Sequence, residues 1–268
     1  MNGLWMLLVG LIVVAAIVAH HGGKLSRARR ELQAKRLTEE QRAEVRRLFP
    51  LWEVIPEDIR MDTEGWMHVF LSEKSFEPCG GLDEVTEEML LAIAAPACLL
   101  IARRPQDYYG TLRSILVYPD AYTADIQEGG ESVRLGESWG TGSVVLAWKS
   151  VKQGDRDPKD GHNVVLHEFA HQLDQEDGAA DGVPEFEEVE SYKRWSEAFL
   201  PAYREFCERV SQGKRSVLDD YGATNPAEFF AVATETFFEK AEGLKEEEPE
   251  IFAELVKFYG MDPSGWVR

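Results

Sequence analysis

The longest apolar stretch comes first. From Gly3 to Ala19 the chain carries no charge, only Leu, Val, Ile, Ala, Met, Trp and two Gly. As a helix these 17 residues reach roughly 25 Å, the lower edge of a bilayer span. Trp5, His20 and His21 suit its interfaces. The run has no polar face, which speaks against a buried core helix. Nothing basic precedes it, whereas Lys24, Arg27, Arg29 and Arg30 follow; a cleaved signal peptide has the reverse order. The expectation is an uncleaved transmembrane anchor over 1–22, with everything after it in the cytoplasm. That makes a single-pass protein of the inner, cytoplasmic membrane, held through residues 3–19.

Residues 23–50 read as a basic, helix-prone juxtamembrane segment, its cations suited to a solvated helix face or to anionic headgroups. Thr38-Glu39-Glu40-Gln41 is a capping box, so a fresh helix starts at Thr38 and stops before Pro50. The remainder, 51–268, reads as one domain. A second helix is predicted from Thr86 to Arg104, opened by Glu87 and Glu88 and ended by Pro105. Its centre, Met89 to Ile101, is almost wholly apolar, as a buried helix requires. Ser114–Tyr118 and Ser143–Trp148 read as strands, and Gly129, Gly130 and Gly136 between them as turns of a small sheet.

The whole chain has 268 residues and a formal charge of −19. Before residue 51 there are nine basic and four acidic residues, a net of +5 that leaves −24 for the rest. So acidic a domain does not suit nucleic acid, where phosphates demand surplus Lys and Arg. Three cysteines, Cys79, Cys98 and Cys207, form neither a disulfide framework nor a cysteine-rich zinc site. A reducing compartment fits them, with Cys98 a small buried apolar residue.

The chemistry is concentrated at His167-Glu168-Phe169-Ala170-His171, an H-E-x-x-H pattern behind Asn163-Val164-Val165-Leu166. Residues four apart share a helix face, so both imidazoles can bind one ion. Zinc with three protein ligands lowers the pKa of its water to about 7, and Glu168 stands beside it as a base. A third ligand is still needed. His20, His21, His68 and His162 are badly placed for it, and no metzincin extension follows His171. A carboxylate is better. Asn225-Pro226 opens a further helix with Glu228 at its third position, and Glu228 and Glu235, seven apart, share one face of that apolar helix. Buried acids there want a cation or a hydrogen-bond donor, although Glu228 in that position is also suited to capping.

His167–Asp174, the Asp181–Pro184 segment, Asp220–Val232 and the closing Phe258–Pro263 together resemble the Mlc titration factor A (MtfA) family. These are zinc-dependent peptidases related to the anthrax lethal factor catalytic domain, and the likeness covers most of residues 30–268. The resemblance implies an α+β fold: a mainly helical, zincin-like metallopeptidase domain with a small β-sheet beside the active-site helix. It implies one zinc per chain on His167, His171 and Glu228, with Glu168 as catalytic base and Tyr221 as a donor to the developing oxyanion. Glu235 and Asp174 are candidates to support the ligands. The strand Val144, Val145, Leu146, Ala147 and Trp148 stands for the family's strand beside the cleft, to whose edge an extended peptide can add. The anchor at the front is a departure from the family.

Two functions follow. One is a membrane-anchored zinc peptidase acting on peptides or proteins. The other is a zinc-stabilised regulator that binds a partner, such as a transcriptional repressor, with little hydrolysis. An intact Glu168 favours the first, because a scaffold has no use for a base beside the metal.

Overall fold

In the computed structural model the residues described are 26–104, 109–120, 122–126, 130–134, 136–139, 142–154, 159–186 and 188–266. The expected anchor over 1–22 lies outside them. Among the described residues no helix is long and apolar enough to cross a membrane.

A helix over 26–33 (α1) leads into α2, Glu39–Leu48. The capping box forms as expected: the Thr38 side chain accepts from the Gln41 N–H, and the Gln41 side chain accepts from the Thr38 N–H. The boundary expected at residue 50 does not divide the packing. Leu37, Val45, Leu48 and Phe49 lie in the same hydrophobic core as the central helices. Several cations of this segment are also committed within the protein. Arg42 holds the buried Glu64 at 2.7 and 3.0 Å, and Arg29 holds Glu73 at 2.8 and 3.0 Å. Arg47 pairs with Glu44 and Glu88. A buried carboxylate such as Glu64 needs a cation at hand; Arg42 and the Leu37 N–H supply its partners. In α3, Glu57–Glu73, Gly65 sits where a Cβ would fall 2.5 Å from the Gln33 carbonyl oxygen. Only glycine lets the α1 end approach this closely.

The mainly helical chain surrounds a small, mostly parallel sheet, the α+β arrangement expected. β1 (Ser75–Pro78), β2 (Ser114–Tyr118) and β6 (Ser143–Ala147) run parallel, and β5 (Gly136–Trp139) is antiparallel to β6, in the order β1-β2-β6-β5. β3 (Tyr122–Ile126) and β4 (Gly130–Arg134) form a separate antiparallel pair. Between β1 and β2 runs α4, Glu87–Leu99, capped by Thr86 and buried throughout its apolar centre. It ends earlier than Arg104. Beyond Leu99 the chain continues in i→i−3 turns (Ile101 to Cys98, Ala102 to Leu99, Arg104 to Ile101), tighter than α but still buried.

One expectation is corrected here. The stretch Val144–Trp148 does not offer a free edge. β6 is bonded on both sides, to β2 through Ser143–Ala147 and to β5 through Ser143–Leu146. Its four buried residues in a row are the mark of an inner strand. Trp148 has already left the strand and opens α5, Trp148–Gly154. Among the described residues four more α-helices follow α6 (Val164–Asp174): α7 (Val189–Ser211), α8 (Pro226–Glu239), α9 (Ala241–Glu247) and α10 (Pro249–Tyr259). α6 and α8 pack together, and their shared face carries the site.

Candidate metal centre

α6 begins where the Asn163 side chain accepts from the N–H groups of Val165 and Leu166, at 3.2 and 3.1 Å. Val165, Leu166, Phe169, Ala170 and Leu173 are completely buried. That burial fixes the rotation of the helix and turns His167 and His171 toward α8. In α8, Asn225 accepts from the Glu228 N–H at 3.0 Å and Pro226 holds the first helical position. Phe229, Phe230, Ala231 and Val232 fill the core, which leaves Glu228 and Glu235 facing α6.

The two acids divide the work between the two nitrogens of one imidazole. Glu228 Oε2 lies 2.9 Å from His167 Nε2 and 3.3 Å from His171 Nε2, and the two Nε2 atoms are 3.2 Å apart. Glu235 Oε1 lies 2.7 Å from His167 Nδ1, and its other oxygen accepts from the Asn163 N–H. A neutral His167 with its proton on Nδ1 donates to Glu235 and turns the Nε2 lone pair toward the His171–Glu228 pair; with a second proton, Nε2 donates to Glu228 instead. Three acceptor atoms that converge in this way suit a cation. Among the described residues, His167, His171 and Glu228 form the group whose ligand atoms lie within 4.8 Å of one another. The alternatives left open for the two acids are thereby separated: Glu228 is at the convergence point and Glu235 is behind the ring.

The charges agree with this. Burial works to raise the Glu228 carboxyl, but hydrogen bonds from His167 and His171 outweigh it and hold the group well below the usual carboxylate range. For His167, burial works to lower the imidazole, yet Glu235 and Glu228 raise it far above its ordinary value. Two acids on one ring are more negative charge than one neutral imidazole balances. Glu168 is buried one step round the helix. Burial pushes its carboxyl up, against the opposing pull of His167 and His171.

Tyr221 sits in the short turn Asp220–Ala223, fixed by its own N–H donating to Asp219 at 2.8 Å. Its ring is 6.0 Å from that of His167 and the residue is 54% exposed, so it stands on the rim of the centre. Asp174 is brought to α6's far end instead, fully buried, where it accepts from the Gly182 N–H at 3.0 Å. Burial pushes its carboxyl up to about 6. Asn163 was not singled out by its sequence, although its place before an apolar run is a capping signal; it contributes both the α6 cap and the N–H that Glu235 accepts.

A family model described as glucose-regulated metallo-peptidase M90 matches residues 24–260. The chain belongs to this family. The match begins just after the apolar run and takes in the basic segment, in keeping with the shared core. An uncharacterised protein of Synechocystis sp. (strain ATCC 27184 / PCC 6803 / Kazusa) is 38% identical over 224 residues, 80% of this chain and 81% of that one. Proteins named Mlc titration factor A from Escherichia coli O1:K1 / APEC and Cronobacter sakazakii (strain ATCC BAA-894) are 30% and 29% identical over 205 residues. Each alignment covers 72% of this chain and 76% of the relative. The resemblance read from the motif blocks is therefore a family relationship, and a metallopeptidase family implies a metal.

Proposed function

We propose that this chain is a zinc-dependent peptidase of zincin type that hydrolyses peptide bonds with Glu168 as general base. The observation that carries the reading is the convergence of two imidazole nitrogens and one carboxylate oxygen, with the far nitrogen of His167 held by Glu235. Two nitrogens and one oxygen are a zinc donor set rather than one for magnesium or calcium. Zinc bound there supplies Lewis acidity, which makes a peptide carbonyl more electrophilic and water more acidic. His167, His171 and Glu228 would hold the ion, and Glu235 would keep the His167 tautomer that presents Nε2. Glu168 takes the proton of the attacking water on its carboxylate and returns it to the departing amide nitrogen. Tyr221 donates its hydroxyl proton in a hydrogen bond to the carbonyl oxygen as charge builds there.

An extended substrate would add not to β6 but to β5, the outer strand on the β6 side of the sheet, which packs beside α6. The protein is expected to hold about one zinc per chain, in line with the one three-ligand group among the described residues. Chelation should abolish peptide cleavage and added zinc restore it. Cleavage that survives complete removal of metal would end this reading. Tyr221→Phe belongs in the same assay, with zinc content unchanged and the rate lowered.

The anchor is part of the proposal. The uncharged run Gly3–Ala19, followed by Lys24, Arg27, Arg29 and Arg30, supports a single-pass protein with its catalytic domain in the cytoplasm. Reporters fused after Arg268 should be active only in a cytoplasmic form; an exported signal would reverse the orientation. A second reading rests on the relatives named Mlc titration factor A: a metal-stabilised regulator that binds a partner protein. Glu168→Gln separates the two.

A further inference from the structure

Gly182, buried in an otherwise largely exposed segment after α6, makes contacts that the chemistry above does not use. Gly182 is gripped on three sides. Its N–H donates to Asp174 Oδ2 at 3.0 Å, at the C-terminal end of α6. Its carbonyl accepts from Trp195 Nε1 at 3.0 Å, from within α7. Its α-carbon lies against the first turn of α8, where a Cβ would fall 2.3 Å from the Pro226 carbonyl oxygen. The backbone there is left-handed, with φ of 78°, so glycine is required twice over, by conformation and by space. Asp174 and Trp195 are fully buried, and the Trp195 ring stacks on Phe199 with centroids 3.8 Å apart. Both grips are thus rigid.

These contacts join the two helices that carry the ligands. Asp174 follows His171 by three residues on α6, and Pro226 precedes Glu228 by two on α8. The Gly182 backbone therefore touches both helix ends beside the His pair and Glu228. We propose that Asp174, Gly182 and Trp195 form a clamp that sets the spacing of the His pair from Glu228, which makes Asp174 and Trp195 positioning residues for the metal centre. The inference rests on the metal-centre reading above. It assigns to Asp174 no contact with the ion.

The test measures metal affinity of the folded protein, not activity. Zinc is titrated in competition with a chelating dye, and Co2+ is used to read ligand geometry from its visible absorption. Asp174→Ala leaves a buried N–H unpaired and should weaken metal binding by about 10- to 100-fold, the range typical of residues that orient ligands from outside. Asp174→Asn keeps a carbonyl oxygen for Gly182 and should restore the affinity close to the parent value. Trp195→Phe keeps the stacked ring but loses the donor, so it should weaken binding in the same direction and shift the Co2+ spectrum. Met67→Ala, a cavity variant in α3 away from the clamp, should lose stability and keep the parent's metal affinity and spectrum. If Asp174→Ala does not fold, Trp195→Phe decides. Parent-like affinity and spectrum in the folded clamp variants would overturn the clamp and leave the metal centre standing. Failure of the parent itself to bind either ion would overturn both.

Discussion

Glu168→Gln is expected to keep its metal and lose roughly 10²-fold or more of its peptide hydrolysis. The substitution preserves size and burial, and it touches none of the three atoms that converge on the centre. His167, His171 and Glu228 keep their 2.9, 3.2 and 3.3 Å separations. Gln cannot take a proton, however, so water must attack without a base. The surroundings of Glu168 suit it to proton transfer, since burial raises its carboxyl while the two histidines pull the other way. The measurement is initial rate and zinc content on the same preparations. A variant that cleaves at the parent rate removes Glu168 from the reaction and leaves partner binding as the function; one that loses zinc as well has a role for Glu168 in the fold that its burial alone does not reveal.

The parts of the molecule legible in the sequence are those whose signals are local. The Thr38 capping box, the Asn225-Pro226 start of α8 and the unbroken apolar centre of α4 each specify an element within a few residues, and each is found in place. α3 and α7 were not readable in this way. In α3 the buried Thr63, Glu64 and Gly65 interrupt the apolar stripe. Glu64 and Gly65 are explained only by distant partners, Arg42 for the first and Gln33 for the second. α7 carries Pro201 in its interior, a residue that ordinarily argues for a break. Strand order is likewise non-local: nothing in Gly136–Trp139 announces that it will cover the edge of β6.

The site shows the same division. The spacing of His167, Glu168 and His171 is a property of one helical turn, so two candidate ligands and a candidate base can be named from it. Glu228 and Glu235 share a helix face, and spacing alone leaves both as candidates for the third ligand. The packing of α6 on α8 is what separates them, because it places one acid at Nε2 and the other at Nδ1 of the same ring. Asp174 was a candidate for the same neighbourhood, yet it bonds Gly182 and not a ligand. An acidic residue near a metal motif is common; what it holds is a tertiary fact.

Glu228→Gln should then fail differently from Glu168→Gln, in affinity first and in rate only as a consequence. It removes the single anionic ligand and leaves two imidazole nitrogens and a neutral amide. Zinc affinity is expected to fall by more than the ~100-fold that a change outside the ligand set can cost, and hydrolysis should return in part at high zinc. Glu235→Gln provides the contrast. It keeps all three ligand atoms but weakens the charge-assisted bond at His167 Nδ1, so its loss of affinity should lie within about 10- to 100-fold. Its amide nitrogen would also face a proton on Nδ1 in one of its two orientations, which adds to the loss by favouring the wrong tautomer. Dye-competition titrations of the two variants and the parent rank the three dissociation constants directly. Should Glu228→Gln bind zinc as tightly as the parent while Glu235→Gln does not, the third ligand is Glu235, and the α6–α8 contact must rearrange when the metal enters.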